Sequence, residues 1–126
     1  MNEEVNKKLK EIRTENFIWF IYIGIIFLSW YSNYLEAKYY KYNDNNSKRK
    51  YRQVMIFIFS ILLVVYYYFL KSSLDDYQNL KPWDSESKKN LVTLSLLGSL
   101  FIFLSGIIFL YIAYKDQDLD VEIAFN

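Results

Sequence analysis

LVTLSLLGSLFIFLSGIIFLYIAY, residues 91–114, is the stretch that decides the fold, because it contains no Asp, Glu, Lys, Arg or His. A helix rises about 1.5 Å per residue and the hydrocarbon core of a bilayer is about 30 Å thick. This stretch is therefore long enough to cross a membrane with some tilt. A helix on the surface of a soluble protein needs a polar face, and this one has none. We predict a transmembrane helix here.

Two other stretches have the same character, and the three together predict an all-α integral membrane protein. Residues 17–35 (FIWFIYIGIIFLSWYSNYL) and 54–70 (VMIFIFSILLVVYYYFL) also lack charged side chains. The 126 residues are 53% hydrophobic and 21% aromatic, above the average of soluble domains. A soluble three-helix bundle is disfavoured because no run has a polar face. A signal peptide at residues 17–35 is disfavoured because the run is long and no small-x-small cleavage site follows it.

The spans divide the chain into an N-terminal segment, residues 1–16, a three-span domain, residues 17–114, and a C-terminal tail, residues 115–126. In the N-terminal segment Val5, Leu9 and Ile12 recur at helical spacing among charged residues. This pattern predicts a short amphipathic helix at the membrane surface. A solvated, frayed lead-in is the alternative.

The two connections between the spans carry clear turn signals. NDNNS, residues 43–47, is rich in residues that favour turns and caps, and Ser47 is the predicted N-cap of the second helix. In the second connection Pro82 removes a backbone donor, and Asp84 or Ser85 can cap the next helix. We therefore expect the third helix to begin near residue 85.

The absence of cysteine and histidine excludes disulfides, thiolate nucleophiles, imidazole bases and zinc sites. A carboxylate pair for acid–base catalysis would need a pocket that raises one pKa, and the sequence around Asp75, Asp76, Asp84 and Glu86 suggests none. The D-x-D-x-D run that begins at Asp116 lacks the glycine that a calcium loop needs at its sixth position. We expect no enzymatic activity, cofactor or metal.

A dense group of cations, which we call the basic cluster, lies directly before the second span. Its members are Lys48, Arg49, Lys50 and Arg52. Such a cluster could bind nucleic acid, but beside a span it is more typical of attraction to anionic lipid headgroups and of membrane topology. Lysine and arginine divide almost evenly between the two sides of the membrane, so the cluster is the stronger signal. It favours the first loop and the C-terminal tail on the cytosolic side.

Small residues follow the third span at helical spacing and predict close helix packing. They are Ser95, Gly98, Ser99, Ser105 and Gly106. In lipid, such residues let helix backbones approach one another. Packing against the other spans of the same chain, with Gly24 as a facing contact, is the preferred interpretation, and oligomerisation is the alternative.

The tail DLDVEIAFN, residues 118–126, does not follow the helical pattern. Leu119, Val121, Ile123 and Phe125 alternate with acidic or small residues, which is the period of a β-strand. A single strand is unstable in water, so we expect it to dock on the sheet edge of a partner protein. The alternatives are a frayed tail, pairing between copies, or continuation of the helix or of the chain along the membrane surface.

These observations predict a small, non-enzymatic, multi-pass membrane protein that is a structural or interaction component of a larger assembly. Its partners would be the bilayer and a protein held by the tail. The alternative function is a channel-forming or transport-accessory subunit that works as a homo-oligomer, although the spans carry no charge that would mark an ion path. The abundance of Lys, Ile, Asn and Tyr suggests AT-rich coding, which fits a bacterial membrane as well as a viral envelope or virion inner membrane.

Overall fold

The computed structural model describes residues 2–119 and contains three α-helices and no strand in that range. The helices are α1 (Glu3–Tyr42), α2 (Asn45–Gln78) and α3 (Glu86–Lys115). The chain forms two compact units, one ending at Tyr51 and the other beginning at Arg52. The first unit thus holds α1 with the first turns of α2, and the second holds the rest of α2 with α3.

Helix α1 is a single 40-residue helix, so the prediction of a separate short N-terminal helix is wrong. The side chain of Asn2 accepts a hydrogen bond from the Val5 amide at 2.9 Å and caps the first turn. No glycine or proline stands between residue 3 and the span, and the hydroxyl of Thr14 donates to the Lys10 carbonyl at 3.1 Å within the helix. The amphipathic segment therefore continues along the axis of the first span.

The turn between α1 and α2 consists of two residues. Asn43 is left-handed, with φ 51° and ψ 40°, a conformation that asparagine tolerates better than most residues. Asp44 accepts hydrogen bonds from the Asn46 amide at 3.1 Å and from the Ser47 hydroxyl at 2.9 Å. Asp44 is therefore the capping residue, and the prediction that Ser47 has this role is wrong by one turn.

The second connection is also short, because α2 extends beyond the predicted span as far as Gln78. The side chain of Ser85 accepts from the Lys88 amide at 3.1 Å and caps α3, which confirms the predicted start near residue 85. Asp84 accepts from the Lys81 amide at 2.7 Å and closes the turn that contains Pro82. The Ser85 cap satisfies an amide group that the start of α3 leaves without a partner.

In the second unit α2 and α3 form an antiparallel pair. Phe59 lies beside Phe109, with ring centroids 5.8 Å apart, and Tyr67 lies beside Phe103 at 6.1 Å. In these pairs the residue number rises along α2 and falls along α3, so the two helices run in opposite directions. In this unit most of the buried apolar residues belong to one face of α2: Met55, Ile58, Phe59, Leu62 and Val65.

All three helices are long and apolar enough to span a membrane. Their most apolar windows are only 22%, 28% and 11% buried, in chain order, so most of the apolar surface points outward. A soluble protein rarely exposes apolar patches of this extent. This arrangement confirms the predicted all-helical class and is consistent with a multi-pass membrane protein.

Candidate functional site

Three serine hydroxyls meet between α2 and α3, near the end of the pair that contains the Pro82 turn. The hydroxyl of Ser73 lies 2.8 Å from that of Ser99 and 3.5 Å from that of Ser95. Ser73 is buried, with 9% of its surface exposed. Within lipid, serine hydroxyls that bond across helices add to the stability of helix pairs. This serine cluster therefore fixes the register of α2 against α3.

Gly106 is a point of close helix approach in the second unit. A Cβ atom placed on Gly106 would lie 3.0 Å from Cδ2 of Tyr66 and 3.3 Å from Cδ1 of Leu63. Only a residue without a side chain leaves this space free. Moving seven residues along each helix, in opposite directions, leads from Tyr66 and Gly106 to Ser73 and Ser99. The two contacts belong to one continuous seam.

The small residues of α3 fall into two rows, which the sequence pattern did not separate. Ser95, Ser99 and Gly106 face α2, through the serine cluster and the tyrosine ring. Gly98 and Ser105 are exposed, and a Cβ atom at Gly98 would meet no atom within 4 Å in the described chain. We call these two residues the open row. Gly24 in α1 likewise has open space around it among the described residues.

Arg52, a member of the predicted basic cluster, bonds to the end of α3. One of its terminal nitrogens donates to the Tyr114 carbonyl at 2.8 Å. A cation at the C-terminus of a helix satisfies a free carbonyl and complements the helix dipole. The Nε atom of Arg52 is buried and has no hydrogen-bond partner in the described part of the chain.

The other three cations of the basic cluster belong to the first unit. The ammonium group of Lys48 lies 5.3 Å from the ring centroid of Tyr39 in a cation–π contact. Arg49 and Lys50 are exposed. The four residues that the sequence groups together therefore have different surroundings, and Arg52 is the one that belongs to the second unit and bonds to α3 there.

A shallow groove of about 390 Å³ runs along the seam of α2 and α3. It is lined by Ile56, Ser60, Ile107, Leu110, Tyr111 and Tyr114. Along α2, Arg52, Ile56 and Ser60 follow one another at intervals of four residues and so share a face. The groove is thus lined mainly by apolar side chains, and Arg52, which bonds to the carbonyl of the lining residue Tyr114, lies one helical turn before Ile56.

The predicted docking residues of the tail are only partly within the described chain. After α3 ends, residues 117 and 118 form a turn, and Leu119 has a left-handed φ of 57°. Leu119 is therefore not in an extended strand. Val121, Ile123 and Phe125 lie outside the described residues.

The carboxylates of the second connection are held by cations and amides. Asp84 accepts from the Lys81 amide and, at 3.3 Å, from the Lys88 ammonium group, and this bonding lowers the pKa of Asp84. Glu86 lies 3.9 Å from Lys89. A general acid at neutral pH needs a raised pKa, so Asp84 is poorly suited to that role. Across residues 2–119 no group of three or more acidic residues is arranged to hold a metal ion.

Comparison of the chain with protein-family models, with curated proteins and with solved structures found no match.

Sequence reasoning overlooked Ser73 and the separate role of Arg52. Ser73 stands beyond the predicted second span, where nothing in the local pattern marks it. Ser73 can be found only from the pairing of the helices. When Gly106 lies opposite Tyr66 in an antiparallel pair, seven residues further along α2 and seven residues back along α3 place Ser73 opposite Ser99. The sequence alone groups Arg52 with the other cations of the basic cluster, because the four are close in the chain. Successive residues on a helix point in different directions, so their contacts differ.

Proposed function

We propose that the chain is a small, non-enzymatic, multi-pass membrane protein that acts as a structural or interaction component of a larger membrane-associated assembly. Its setting would be a bacterial membrane, a viral envelope or a virion inner membrane. The fold supports this proposal through three apolar helices whose outward faces remain uncovered.

The open row of α3 is the observation that carries the proposal. Gly98 and Ser105 are seven residues apart, so they lie on one side of the helix. Their neighbours on the exposed surface are large apolar residues, such as Leu94 and Phe101. Two small residues between large ones make a shallow depression, and helix association in lipid depends on such close approach. A helix of another protein fits this face.

The experiment is purification of the full-length protein in a mild detergent, with identification of the proteins that remain bound. A structural component keeps one partner in fixed stoichiometry. Gly98→Leu should release that partner, because the added side chain fills the depression. Leu104→Phe is the matched control, since Leu104 is an exposed apolar residue of the same helix that lies on a different face from the open row. Equal retention by Gly98→Leu and the control would contradict the proposal.

A channel-forming or transport-accessory subunit is the second candidate, because the open row is self-complementary and could seat a second copy of α3. In that case the purified protein would form a symmetric homo-oligomer and conduct ions in planar bilayers. A monomeric, non-conducting protein with a bound partner would exclude this alternative.

We propose that the tail is the second contact with the partner protein. Leu119, Val121, Ile123 and Phe125 would enter the partner's sheet edge and the acidic residues would face water, so that the strand forms only on binding. Deletion of residues 117–126 should release the partner and leave membrane insertion intact. Full retention of the partner by the shortened chain would end this hypothesis.

A further inference from the structure

We propose that the groove between α2 and α3 binds one anionic phospholipid, with an acyl chain in the apolar part and the phosphate at Arg52. The proposal depends on membrane residence but not on assembly with a partner protein. It assigns to Arg52 a specific site instead of general attraction to a charged surface.

The polarity of the groove matches that of a phospholipid. Its inner part is formed by Ile56, Ile107 and Leu110, which offer only hydrocarbon. Its outer end is formed by Tyr111 and Tyr114, whose rings are apolar and whose hydroxyls are polar. Tyrosines with this position are typical of the boundary between hydrocarbon and headgroups. A chain that enters the groove therefore has its polar end beside the tyrosines.

Two cations stand at the same end. Arg52 is held there by its bond to the Tyr114 carbonyl, and the ammonium group of Lys115 lies 5.7 Å from the Tyr114 ring centroid. A guanidinium group has five N–H donors in a planar fork, and phosphate oxygens accept two of them at once. The bond to Tyr114 uses only one terminal nitrogen and fixes the orientation of the fork.

Charge alone would not select this position. Asp116 and Asp118 lie within three residues after Lys115, so the end of α3 carries both signs of charge. The apolar groove must therefore contribute to affinity. A phospholipid combines both features, whereas free phosphate offers only the charge.

The test is lipid titration of the purified full-length protein by native mass spectrometry. Phosphatidylglycerol is compared with phosphatidylcholine that has the same acyl chains. We expect phosphatidylglycerol to bind about tenfold more tightly, and Arg52→Gln to remove most of this preference. Arg49→Gln, which removes an exposed cation, is the matched control and should change affinity less than about twofold. Equal losses in the two variants would overturn the specific role of Arg52.

A second pair of variants tests the groove without touching the bond to α3. Ser60 is exposed and lines the groove, so Ser60→Trp should fill it and weaken both lipids about tenfold. Leu74→Trp, at an exposed position near the opposite end of α2, should leave binding unchanged. Circular dichroism checks that each variant keeps its helices. Unchanged binding by Ser60→Trp, or displacement of the lipid by inorganic phosphate, would overturn the proposal.

Discussion

Gly106 is the glycine at which the pairing of α2 and α3 leaves little room for a side chain. A leucine there would force its Cβ to within 3.0 Å of the Tyr66 ring, so the helices must separate or the ring must move. We expect Gly106→Leu to lower the free energy of unfolding by about 1–3 kcal/mol, the usual cost of overpacking. Gly98→Leu, in open space, should change it by less than about 0.5 kcal/mol. Denaturant titration in detergent micelles measures both.

The reverse order of stability would show that the open row, and not Gly106, is the packed face. The pair of variants is matched because both place the same side chain on a glycine of the same helix. Only the neighbours differ.

Ser73 is the second residue on which the seam depends. Ser73→Ala removes its hydroxyl from both Ser95 and Ser99, and the expected loss is about 0.6–1.7 kcal/mol, the range of polar contacts between membrane helices. Ser60→Ala is the control, because the exposed Ser60 hydroxyl donates only to the Ile56 carbonyl of its own helix at 2.7 Å. Thermal unfolding in the same micelles compares them. Equal midpoints for the two variants would contradict a role for the serine cluster.

At the scale of the elements, the two turns make stability depend on pH in acid. The Ser47 hydroxyl, and further bonds from amides, lower the pKa of Asp44, and the Lys81 amide is the main group that lowers the pKa of Asp84. A lowered folded pKa means that the stabilisation is complete above the unfolded value, near 3.9, and is lost as the pH falls through the folded value. The wild type should therefore lose stability below about pH 4.

The variant Asp44→Asn/Asp84→Asn isolates this contribution. It should be less stable than the wild type at pH 6, and the difference between the two should shrink as the pH falls below about 4. The other carboxylates are present in both proteins, so their contributions to stability cancel in the difference. Asp75→Asn/Asp76→Asn removes two exposed carboxylates of α2 as a control. A wild-type advantage that stays constant down to pH 2.5 would refute the assignment.

The elements also show how far sequence reasoning reaches. Runs without charge identified the three helices, because the lack of a polar face is a property of each run alone. The start of α3 at Ser85 followed from local chemistry as well. The continuity of α1 through residue 16 could not be predicted in this way. The amphipathic pattern of that segment suits a surface helix and the first turns of a long helix equally. The partners of Ser73 and Arg52 depend on which residues of α2 and α3 are paired, and no single run contains that information.

At the scale of the whole molecule, the prediction of greatest consequence is the orientation of the helices in the membrane. If each of the three helices crosses the membrane once, the first turn and the end of α3 lie on one side and the second connection lies on the other. The basic cluster favours the cytosolic side for the first turn, because positive charges close to a span are retained there. Arg52, at the same end of the helices, would then meet the leaflet that carries anionic lipid.

Single cysteines test this orientation directly, because the natural chain has none. Asn45→Cys lies in the first turn of α2 and Asn79→Cys follows its end, and both positions are exposed. In intact membranes a thiol reagent that cannot cross the bilayer should label Asn79→Cys from outside, and Asn45→Cys only after the membrane is opened. Labelling of both from outside would contradict a crossing by α2. Labelling of Asn45→Cys alone would invert the orientation and place Arg52 in the other leaflet. The two cysteines are the ends of one continuous helix, so each serves as the control for the other.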